Sequence, residues 1–314
     1  MSIHLTNLNK KQRKRWGKKF IDRRDWHAYN EELVRVGEYM LDMDWVESWD
    51  DELVLMNKRK VGAPYKFPKS LIELQAVWHA KSYPFRSIEG MTRDLCKIGQ
   101  LPDYNDYSTV NRRMNQLDYS LAVPKGESIA VFSDGTGLQA VAGGEYLREK
   151  YGKKNRRWVQ VIILGDPLTK EPVSYEVNII LESEADSTKR QAENLLAEEV
   201  NICALGGDGA MDQMALWNFL EKQGIAPVIK PDKNALDNTD NDMRNKHVKE
   251  RKKSYKKWAR KHKYGMRWPA TEGIFSAIKR VFGETLRATS EIGMIKEASA
   301  KIWAYTKLKQ YAKA

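Results

Sequence analysis

SIAVFSDG, residues 128–135, is rich in β-branched and aromatic residues and ends in an Asp-Gly pair, which is typical of a strand followed by a turn. Two similar runs follow, RRWVQVIILGDP at 156–167 and PVSYEVNIIL at 172–181. Helical and strand patterns then alternate, which predicts later strands that run parallel through crossover helices. The sequence therefore indicates an α/β domain with a mixed sheet flanked by helices.

The segments after the third strand are assigned by their hydrophobic periodicity. The assignment gives helices at 185–199 and 211–224, and strands at 201–209 and 225–231. The second of these helices is expected to end at Gly224, because glycine favours the residue just past a helix. Residues 232–263 are charge-dense and predict either a solvated helix or a basic surface strip. Two closing helices are expected at 275–283 and 291–311.

Upstream of the sheet, the pattern is helical. Residues 1–60 combine a basic run with a helical periodicity, so they predict a basic N-terminal helical extension that is either solvated or in contact with phosphates. Residues 61–122 contain three short amphipathic helices separated by turn residues, which is typical of a helix-turn-helix or of an ordinary three-helix bundle. Residues 123–314 then form the predicted sheet domain with its C-terminal helices.

The third of the short helices, DYSTVNRRMNQL at 106–117, is short enough to enter a DNA major groove. Ser108 or Asp106 can cap its N-terminus. Arg112 and Arg113 would then project from it, and Arg86 lies just before the preceding helix. The candidate DNA-contacting residues of this unit are therefore Arg86, Ser108, Arg112 and Arg113, although surface arginines on an ordinary bundle would give the same pattern.

The composition favours a polyanionic partner. Lys and Arg number 54 against 42 Asp and Glu, a formal charge of +12, and nucleic acid is the commonest partner of such a chain. No apolar run approaches the roughly 20 residues that a bilayer requires, and no hydrophobic segment follows the basic start. We therefore expect no membrane partner and a cytoplasmic protein, associated with the nucleoid when bound to DNA.

Cysteine and histidine do not predict a metal site. The two cysteines, Cys96 and Cys203, are too few for a disulfide framework or a four-thiolate zinc site, and the five histidines lack ligand spacing. Any metal would therefore be held by oxygen ligands, which points to hard ions such as Mg²⁺ or Mn²⁺.

Three acids are candidates for such ligands, although each has an ordinary explanation. Asp134 is in an Asp-Gly turn signal, Asp208 can cap a helix with Asp212 in its first turn, and Glu272 can complement a helix dipole. If the strands before Asp134 and Asp208 are parallel neighbours, both carboxylates emerge at one sheet edge, roughly 4.8 Å apart. Such acids repel unless a cation lies between them, and a third acid would complete an oxygen cage.

Glycines accompany both aspartates. They either allow a nucleic-acid backbone to approach closely or simply form tight turns. The glycines concerned are Gly135, Gly137, Gly206, Gly207 and Gly209.

The ordered set SDGTG, GGDGAMD and YGMRWPATEGIFSAIKRVFGE resembles the DDE transposases of bacterial and archaeal insertion sequences. Within the insertion-sequence-four/five superfamily it is most similar to the insertion-sequence-five group, over roughly residues 60–290. The resemblance implies a ribonuclease-H-like catalytic domain in which Asp134, Asp208 and Glu272 hold two Mg²⁺ or Mn²⁺ ions, preceded by an all-helical, helix-turn-helix-like DNA-binding unit.

The specific part of the resemblance is the family signature Tyr-x2-Arg-x3-Glu-x6-Lys. Tyr264, Arg267, Glu272 and Lys279 match it, except that four residues instead of three separate Arg267 from Glu272. The resemblance implies that Tyr264, Arg267 and Lys279 grip the phosphates of the transposon end. Trp268 would either stack on an unpaired base there or pack into the core.

The activity implied by the resemblance is cut-and-paste transposition. The enzyme would cleave double-stranded DNA at terminal inverted repeats and transfer the 3′-OH end into target DNA, acting as a homodimer or higher oligomer in a synaptic complex. Two alternatives stay open at this point: a catalytically silent DNA-binding regulator derived from a transposase, and a ribonuclease-H-like nuclease that acts on structured nucleic acid.

Overall fold

The structure, a computed structural model, describes residues 14–15, 18–19, 25–122, 126, 128–140 and 157–313. Its centre is a mixed sheet of six strands, and two further strands of two residues each form a separate antiparallel pair near the start of the chain. The small pair is β1 (Lys14–Arg15) and β2 (Lys18–Lys19), and the sheet consists of β3 (Ser128–Ala140), β4 (Arg157–Asp166), β5 (Glu171–Asn178), β6 (Asn201–Gly207), β7 (Ala226–Ile229) and β8 (Thr285–Leu286).

The strand order across the sheet is β5-β4-β3-β6-β7. β3, β4 and β5 form an antiparallel meander, whereas β6 and β7 run parallel to β3 through helical crossovers. β8 adds a short parallel pairing at the far end of β3. This order and these directions are those of the ribonuclease-H-like α/β fold, so the predicted fold class is confirmed.

β3 is longer than the sequence pattern indicates. The Asp-Gly pair at its predicted end does not turn; Asp134 and Gly135 instead pair with Ile163 and Ile162 of β4, and the strand continues to Ala140. The turn interpretation of Asp134 is therefore wrong. The physical reason is that a ladder with β4 satisfies the backbone groups of this segment, which outweighs the local turn preference of Asp-Gly.

The helices cover both faces of the sheet and form the N-terminal region. Gly224 adopts the left-handed conformation (φ 67°) directly after the helix that it was predicted to end. The helices are α1 (Trp26–Glu38), α2 (Trp49–Asn57), α3 (Lys69–Ala80), α4 (Phe85–Lys97), α5 (Tyr107–Gln116), α6 (Glu184–Ala197), α7 (Met214–Gln223), α8 (Asp242–Lys253), α9 (Tyr255–Lys261), α10 (Arg267–Ala270), α11 (Glu272–Phe282) and α12 (Glu291–Lys313).

The three short helices predicted upstream of the sheet correspond to α3, α4 and α5. Asp106, and not Ser108, caps α5: its carboxylate accepts hydrogen bonds from the backbone N–H groups of Ser108 at 2.9 Å and Thr109 at 3.1 Å. Arg112 is exposed on this helix. Arg113 does not project as expected, because its guanidinium packs 4.2 Å from the centre of the Tyr65 ring.

The helical region and the sheet share one hydrophobic core. Ile72, Trp78 and Val110 from the N-terminal helices belong to the same buried cluster as Val161 of the sheet and Trp303 of α12. α12 lies between the two, in contact with α1, α3 and α5 on one side and with β4 and β5 on the other. The division at residues 61 and 123 therefore stays a prediction, and it does not coincide with a gap in the core.

The charge-dense segment after β7 forms two helices, α8 and α9. They pack on each other through His247 and Trp258, both of which are buried. The segment is thus a folded helical pair with a buried inner face, a mixture of the two predicted possibilities. Of the helices in the described part of the chain, none combines the length and the apolarity that crossing a membrane requires.

Candidate active site

Asp134 lies in the middle of β3, next to the carboxyl end of the parallel strand β6. Asp134 and Asp208 each lie two residues beyond the last pair of the ladder between these strands. The Asp134 carboxylate is 18% exposed, and it accepts hydrogen bonds from the backbone N–H of Gly135 and from Nη1 of Arg267, both at 3.0 Å. Burial raises the pKa of Asp134, while the positive charge of Arg267 opposes the rise.

Asp208 follows β6 directly and caps the short 3-10 turn Gly209–Met211. Its Oδ1 atom accepts a hydrogen bond from the backbone N–H of Ala210 at 2.8 Å, so it caps this turn. It does not cap the following α-helix, which begins at Met214 with Gln213 at its N-cap. The negative charge of Asp208 also acts on Asp134. Burial is the main cause of the raised pKa of Asp134, and the nearby Asp208 carboxylate adds to it. The two aspartates are therefore electrostatic neighbours, as their strands predict.

Asp212 does not serve the first turn of the following helix as expected. Its carboxylate, 3% exposed, forms a buried ion pair with Arg244 of α8, with the Nε of Arg244 at 2.7 Å from Oδ1 and Nη2 at 2.9 Å from Oδ2. It also accepts a hydrogen bond from Nε1 of Trp217 at 2.9 Å. Burial alone would raise the pKa of Asp212, but these donors hold it below its usual range. This pair fixes α8 beside the chain that carries Asp208.

Glu272 is the first residue of α11, where its carboxylate also complements the helix dipole. Arg267, five residues earlier, joins it to the sheet: Nη2 donates to Oε1 of Glu272 while Nη1 donates to Asp134. Burial would lower the pKa of Arg267, but Tyr264, Asp134 and Glu272 raise it above its usual value. Arg267 thus brings two of the three predicted acids together from positions 138 residues apart in the chain.

A fourth acid, Glu184, belongs to the same place and was not singled out from the sequence. It is the first residue of α6, and its carboxylate takes up the space that a Cβ atom on Gly135 would need. Burial raises the pKa of Glu184, and the charges of Asp134 and Asp208 raise it further. The sequence signal was a glutamate at a helix start directly after the third strand, which any capped helix can also show.

The glycines beside the aspartates mostly accommodate protein side chains. A Cβ atom on Gly206 would overlap the Phe132 ring, one on Gly207 would overlap Met211, and one on Gly135 would overlap Glu184. Close packing of the site, and not an open approach for a nucleic-acid backbone, therefore explains these glycines. A Cβ on Gly209 would come no closer than 3.3 Å to its neighbours.

The chemistry of the site fits a hard divalent cation. Asp134, Asp208, Glu184 and Glu272 supply carboxylate oxygens, which Mg²⁺ prefers. Burial is the main cause of the raised pKa values of Asp134 and Glu184, and the neighbouring carboxylates add to both. As the side chains stand, the described part of the chain contains no group of three acid, imidazole or thiol side chains close enough to hold one ion. Arg267 supplies the compensating positive charge in this arrangement.

The other signature residues are not all beside the acids: Tyr264 lies next to Arg267, whereas Lys279 pairs with Glu284. Burial raises the pKa of Tyr264 to about 12, and its ring lies 6.0 Å from the guanidinium carbon of Arg267. Lys279, two turns into α11, has its Nζ 3.6 Å from the carboxylate of Glu284. Trp268 is 52% exposed, so it is not packed into the core. These three positions lie on the same stretch of chain as Arg267 and Glu272.

The candidate residues of the helical unit lie on α4 and α5. Arg86 stacks its guanidinium 4.7 Å from the centre of the Tyr107 ring, and the Ser108 hydroxyl donates to Asp106. Both residues line a cleft of about 630 Å³ between these helices and the start of α12. Lys296 of α12 and Arg287, in the segment before that helix, also line its walls. Arg86, Ser108 and Arg112 are therefore accessible, whereas Arg113 donates to the Phe67 carbonyl at 3.2 Å.

Comparison with known families identifies the sheet region. A family model described as "Transposase DDE domain" matches residues 125–307, which is more than half of the chain and includes all six strands of the sheet and the acids described above. A second model with the same description matches residues 35–143, which covers most of the helical region and all of β3. No curated protein matches the chain. By its sequence and its ribonuclease-H-like sheet, this chain belongs to the family of DDE transposases.

Proposed function

We propose that this transposase moves its own insertion sequence by a cut-and-paste reaction. It would cleave DNA strands at the terminal inverted repeats and transfer the resulting 3′-OH ends into target DNA. The observation that carries the proposal is the convergence of Asp134 and Asp208 at one sheet edge, with Glu272 joined to Asp134 through Arg267. Resemblance of the Tyr264 to Lys279 signature supports placement in the insertion-sequence-five group.

Asp134, Asp208 and Glu272 would hold two Mg²⁺ or Mn²⁺ ions, and Glu184 is placed to contribute a further carboxylate. When bound, such ions supply Lewis acidity that activates an attacking hydroxyl and stabilises the departing 3′ oxygen of an in-line displacement. The strands and the start of α11 fix the backbone positions of these acids before DNA arrives, and their side chains would close on the ions when these bind.

The surrounding residues would position the DNA. Arg267, Tyr264 and Lys279 would hold phosphates of the transposon end, and the exposed ring of Trp268 offers a surface on which an unpaired base can stack. Arg86, Ser108 and Arg112 would contact the duplex further away, with Arg113 as a support for the loop at Tyr65. Two or more copies would be needed to join both ends of the element in one complex.

Strand cleavage tests the proposal. The purified protein is incubated with labelled DNA carrying the ends of its own element, with Mg²⁺, with Mn²⁺ or with EDTA. We expect nicking that depends on the divalent ion, and we expect Asp134→Asn, Asp208→Asn and Glu272→Gln to reduce its rate by about 10³-fold or more, since several kcal/mol of transition-state stabilisation would be lost.

The control is Glu193→Gln, an exposed carboxylate on α6 that pairs with Lys189 on the surface, which should cleave at the normal rate. Retention of end binding by the three inactive variants would confirm that chemistry and not folding was lost. Normal cleavage by any one of them would remove that residue from the proposed site, and binding without nicking in either metal would favour the catalytically silent regulator.

A further inference from the structure

The positive charge of this chain is concentrated in one segment. Residues 243–268 contain twelve Lys and Arg residues and a single carboxylate, Glu250, a net formal charge of +11. The whole chain carries +12, so the other 288 residues are close to neutral. The excess of positive charge is therefore local to this segment and is not spread over the whole chain.

The structure separates the cations that hold this segment together from those that do not. Glu250 of α8 binds Nζ of Lys261 and Nε2 of His262, the latter at 2.8 Å, and so ties α9 and the residue after it to α8. Arg244 forms the buried ion pair with Asp212. The segment therefore folds with one internal acid, and most of its cations have no part in its packing.

Seven exposed cations of α8, α9 and the turn after them have no carboxylate partner in the described part of the chain. We call this set the α8–α9 surface; it consists of Lys246, Lys249, Lys253, Lys256, Lys257, Arg260 and Lys263.

Within the α8–α9 surface, three members share one side of α8. Lys246, Lys249 and Lys253 recur at helical spacing and line a depression of about 350 Å³, whose walls also include Asp242 and Glu250. The pairs Lys249 with Lys253 and Lys256 with Arg260 stand at i,i+4, where like charges destabilise a helix by about 0.2–0.5 kcal/mol each. The fold thus carries repulsion that its own packing does not require, as expected of a surface that meets a polyanion.

The chain leads from this surface directly into the candidate active site. Lys263 is followed by the turn Tyr264–Met266, then by Arg267, and Glu272 begins α11 five residues later. At its other end, the pair of Arg244 with Asp212 fixes α8 to the loop that carries Asp208. Both ends of the α8–α9 pair are therefore attached to chain segments that carry the candidate catalytic acids.

We propose that the α8–α9 surface binds the phosphate backbone of duplex DNA irrespective of base sequence and holds the duplex next to the active site. The inference rests on the proposed function insofar as DNA is taken to be the substrate. Ammonium groups without an exposed apolar face fit a phosphate backbone, whereas a membrane-surface helix would also present an apolar face. α8 exposes none of its large hydrophobic residues, and Tyr255 is the exposed one on α9.

The salt dependence of DNA binding tests this inference. The affinity of the full chain for a duplex is measured in EDTA at several salt concentrations, once with an element end and once with unrelated sequence. For Lys249→Gln/Lys253→Gln we expect the affinity for both duplexes at 0.1 M salt to fall by about ten-fold or more relative to the wild type. The slope of log affinity against log salt should be smaller in magnitude by about 2. The matched control is Lys189→Gln/Lys222→Gln, two lysines on α6 and α7.

Three outcomes are informative. If the Lys249→Gln/Lys253→Gln variant has the same DNA affinity and the same salt slope as the control pair, the inference is overturned. A loss of affinity for the element end alone, with unrelated DNA bound as before, would overturn it as well. The melting temperature of the Lys249→Gln/Lys253→Gln variant should not fall, because two like charges are removed, which separates lost contacts from lost folding. Because DNA binding is measured in EDTA, it does not depend on metal-dependent cleavage. Absence of cleavage would therefore not contradict the binding inference, and absence of binding by this surface would not contradict the cleavage proposal.

Discussion

Arg267 connects two of the candidate acids, Asp134 and Glu272, and so determines how they lie relative to each other. The family signature places its arginine one residue closer to the glutamate, yet here the guanidinium still reaches both Asp134 and Glu272. The extra residue is accommodated by a break between α10 and α11 at Thr271 (φ −130°, ψ −74°), so that Arg267 and Glu272 lie on separate helices. The longer spacing is therefore compatible with a place for Arg267 in the site.

We predict that Arg267→Gln destabilises the protein in the absence of divalent ions. The Asp134 carboxylate is largely buried, and without the guanidinium its charge loses a partner, which costs about 1–3 kcal/mol. Thermal unfolding in EDTA should show the lower melting temperature, and Mg²⁺ should raise it more than in the wild type. Arg280→Gln, an exposed arginine on α11, is the control. Equal melting temperatures in EDTA for both variants would contradict the ion-pair account.

Glu184 illustrates what a single sequence conceals. A glutamate at the start of a helix is ordinary, and its closeness to Asp134 and Asp208 follows only from the way α6 packs across β3. We predict that Glu184→Gln lowers the affinity for Mn²⁺ and the cleavage rate by about 10–100-fold, the size of effect seen for residues that support metal ligands. Calorimetric titration with Mn²⁺ measures the first effect without requiring activity.

Glu193→Gln, about two and a half turns further along α6, is the matched control for Glu184→Gln because it removes a carboxylate from the same helix at its exposed face. If both variants bind Mn²⁺ as tightly as the wild type, Glu184 only packs against Gly135.

At the scale of elements, hydrophobic periodicity predicted the strands and helices of the sheet region to within a few residues at most ends. It did so because each strand is bounded by turn residues and each crossover helix has a single apolar face. The end of β3 was missed because Asp-Gly is a local turn signal, whereas the pairing of Asp134 with Ile163 depends on β4, more than twenty residues away. The places of Asp208 after β6 and of Glu272 at the start of α11 were predictable because both follow directly from element boundaries.

The buried pair of Asp212 with Arg244 anchors α8, and it gives the next prediction. Asp212→Asn leaves the Arg244 guanidinium buried without its counter-charge, so we expect the free energy of unfolding to fall by about 3 kcal/mol at neutral pH. The pKa of Asp212 is lower in the folded chain than in the unfolded chain, where it is about 3.9. The stabilisation by this carboxylate is therefore present above about pH 4 and is lost as the pH falls through its folded pKa.

Urea unfolding at several pH values checks this prediction. The difference between wild type and Asp212→Asn should be constant near pH 7 and should shrink below about pH 4. Asp242→Asn, an exposed acid at the start of α8, should have a small effect at every pH. A difference that stays unchanged down to pH 2 would mean that the ionised Asp212 is not the source of the stability.

At the scale of the whole molecule, the shared core decides how the parts depend on each other. The sequence predicts a helical unit and a sheet domain, since each has its own periodicity, but it carries no signal for how they pack. α12 buries residues on several sides, among them Met294, Trp303 and Leu308, because it lies between the N-terminal helices and the sheet. Removing either neighbour would expose an apolar face of this helix.

We therefore predict that the fragment 123–314 does not fold as a stable unit on its own, although it contains all of the candidate catalytic residues. The full chain should unfold in one cooperative transition, and the fragment should lack the near-ultraviolet circular dichroism of packed aromatic side chains. A fragment that unfolds cooperatively, with a melting temperature close to that of the full chain, would show that the two regions are independent domains.

The central claim is that Asp134, Asp208 and Glu272 hold the same pair of divalent ions. Anomalous diffraction from a crystal of the full chain with an element end and Mn²⁺ tests it most directly, because it locates the ions without any assumption about activity. We predict peaks with oxygens of all three carboxylates at about 2.0–2.2 Å, and Arg267 no longer between Asp134 and Glu272. Mn²⁺ bound elsewhere, or bound at this edge of the sheet without one of the three acids, would contradict the account.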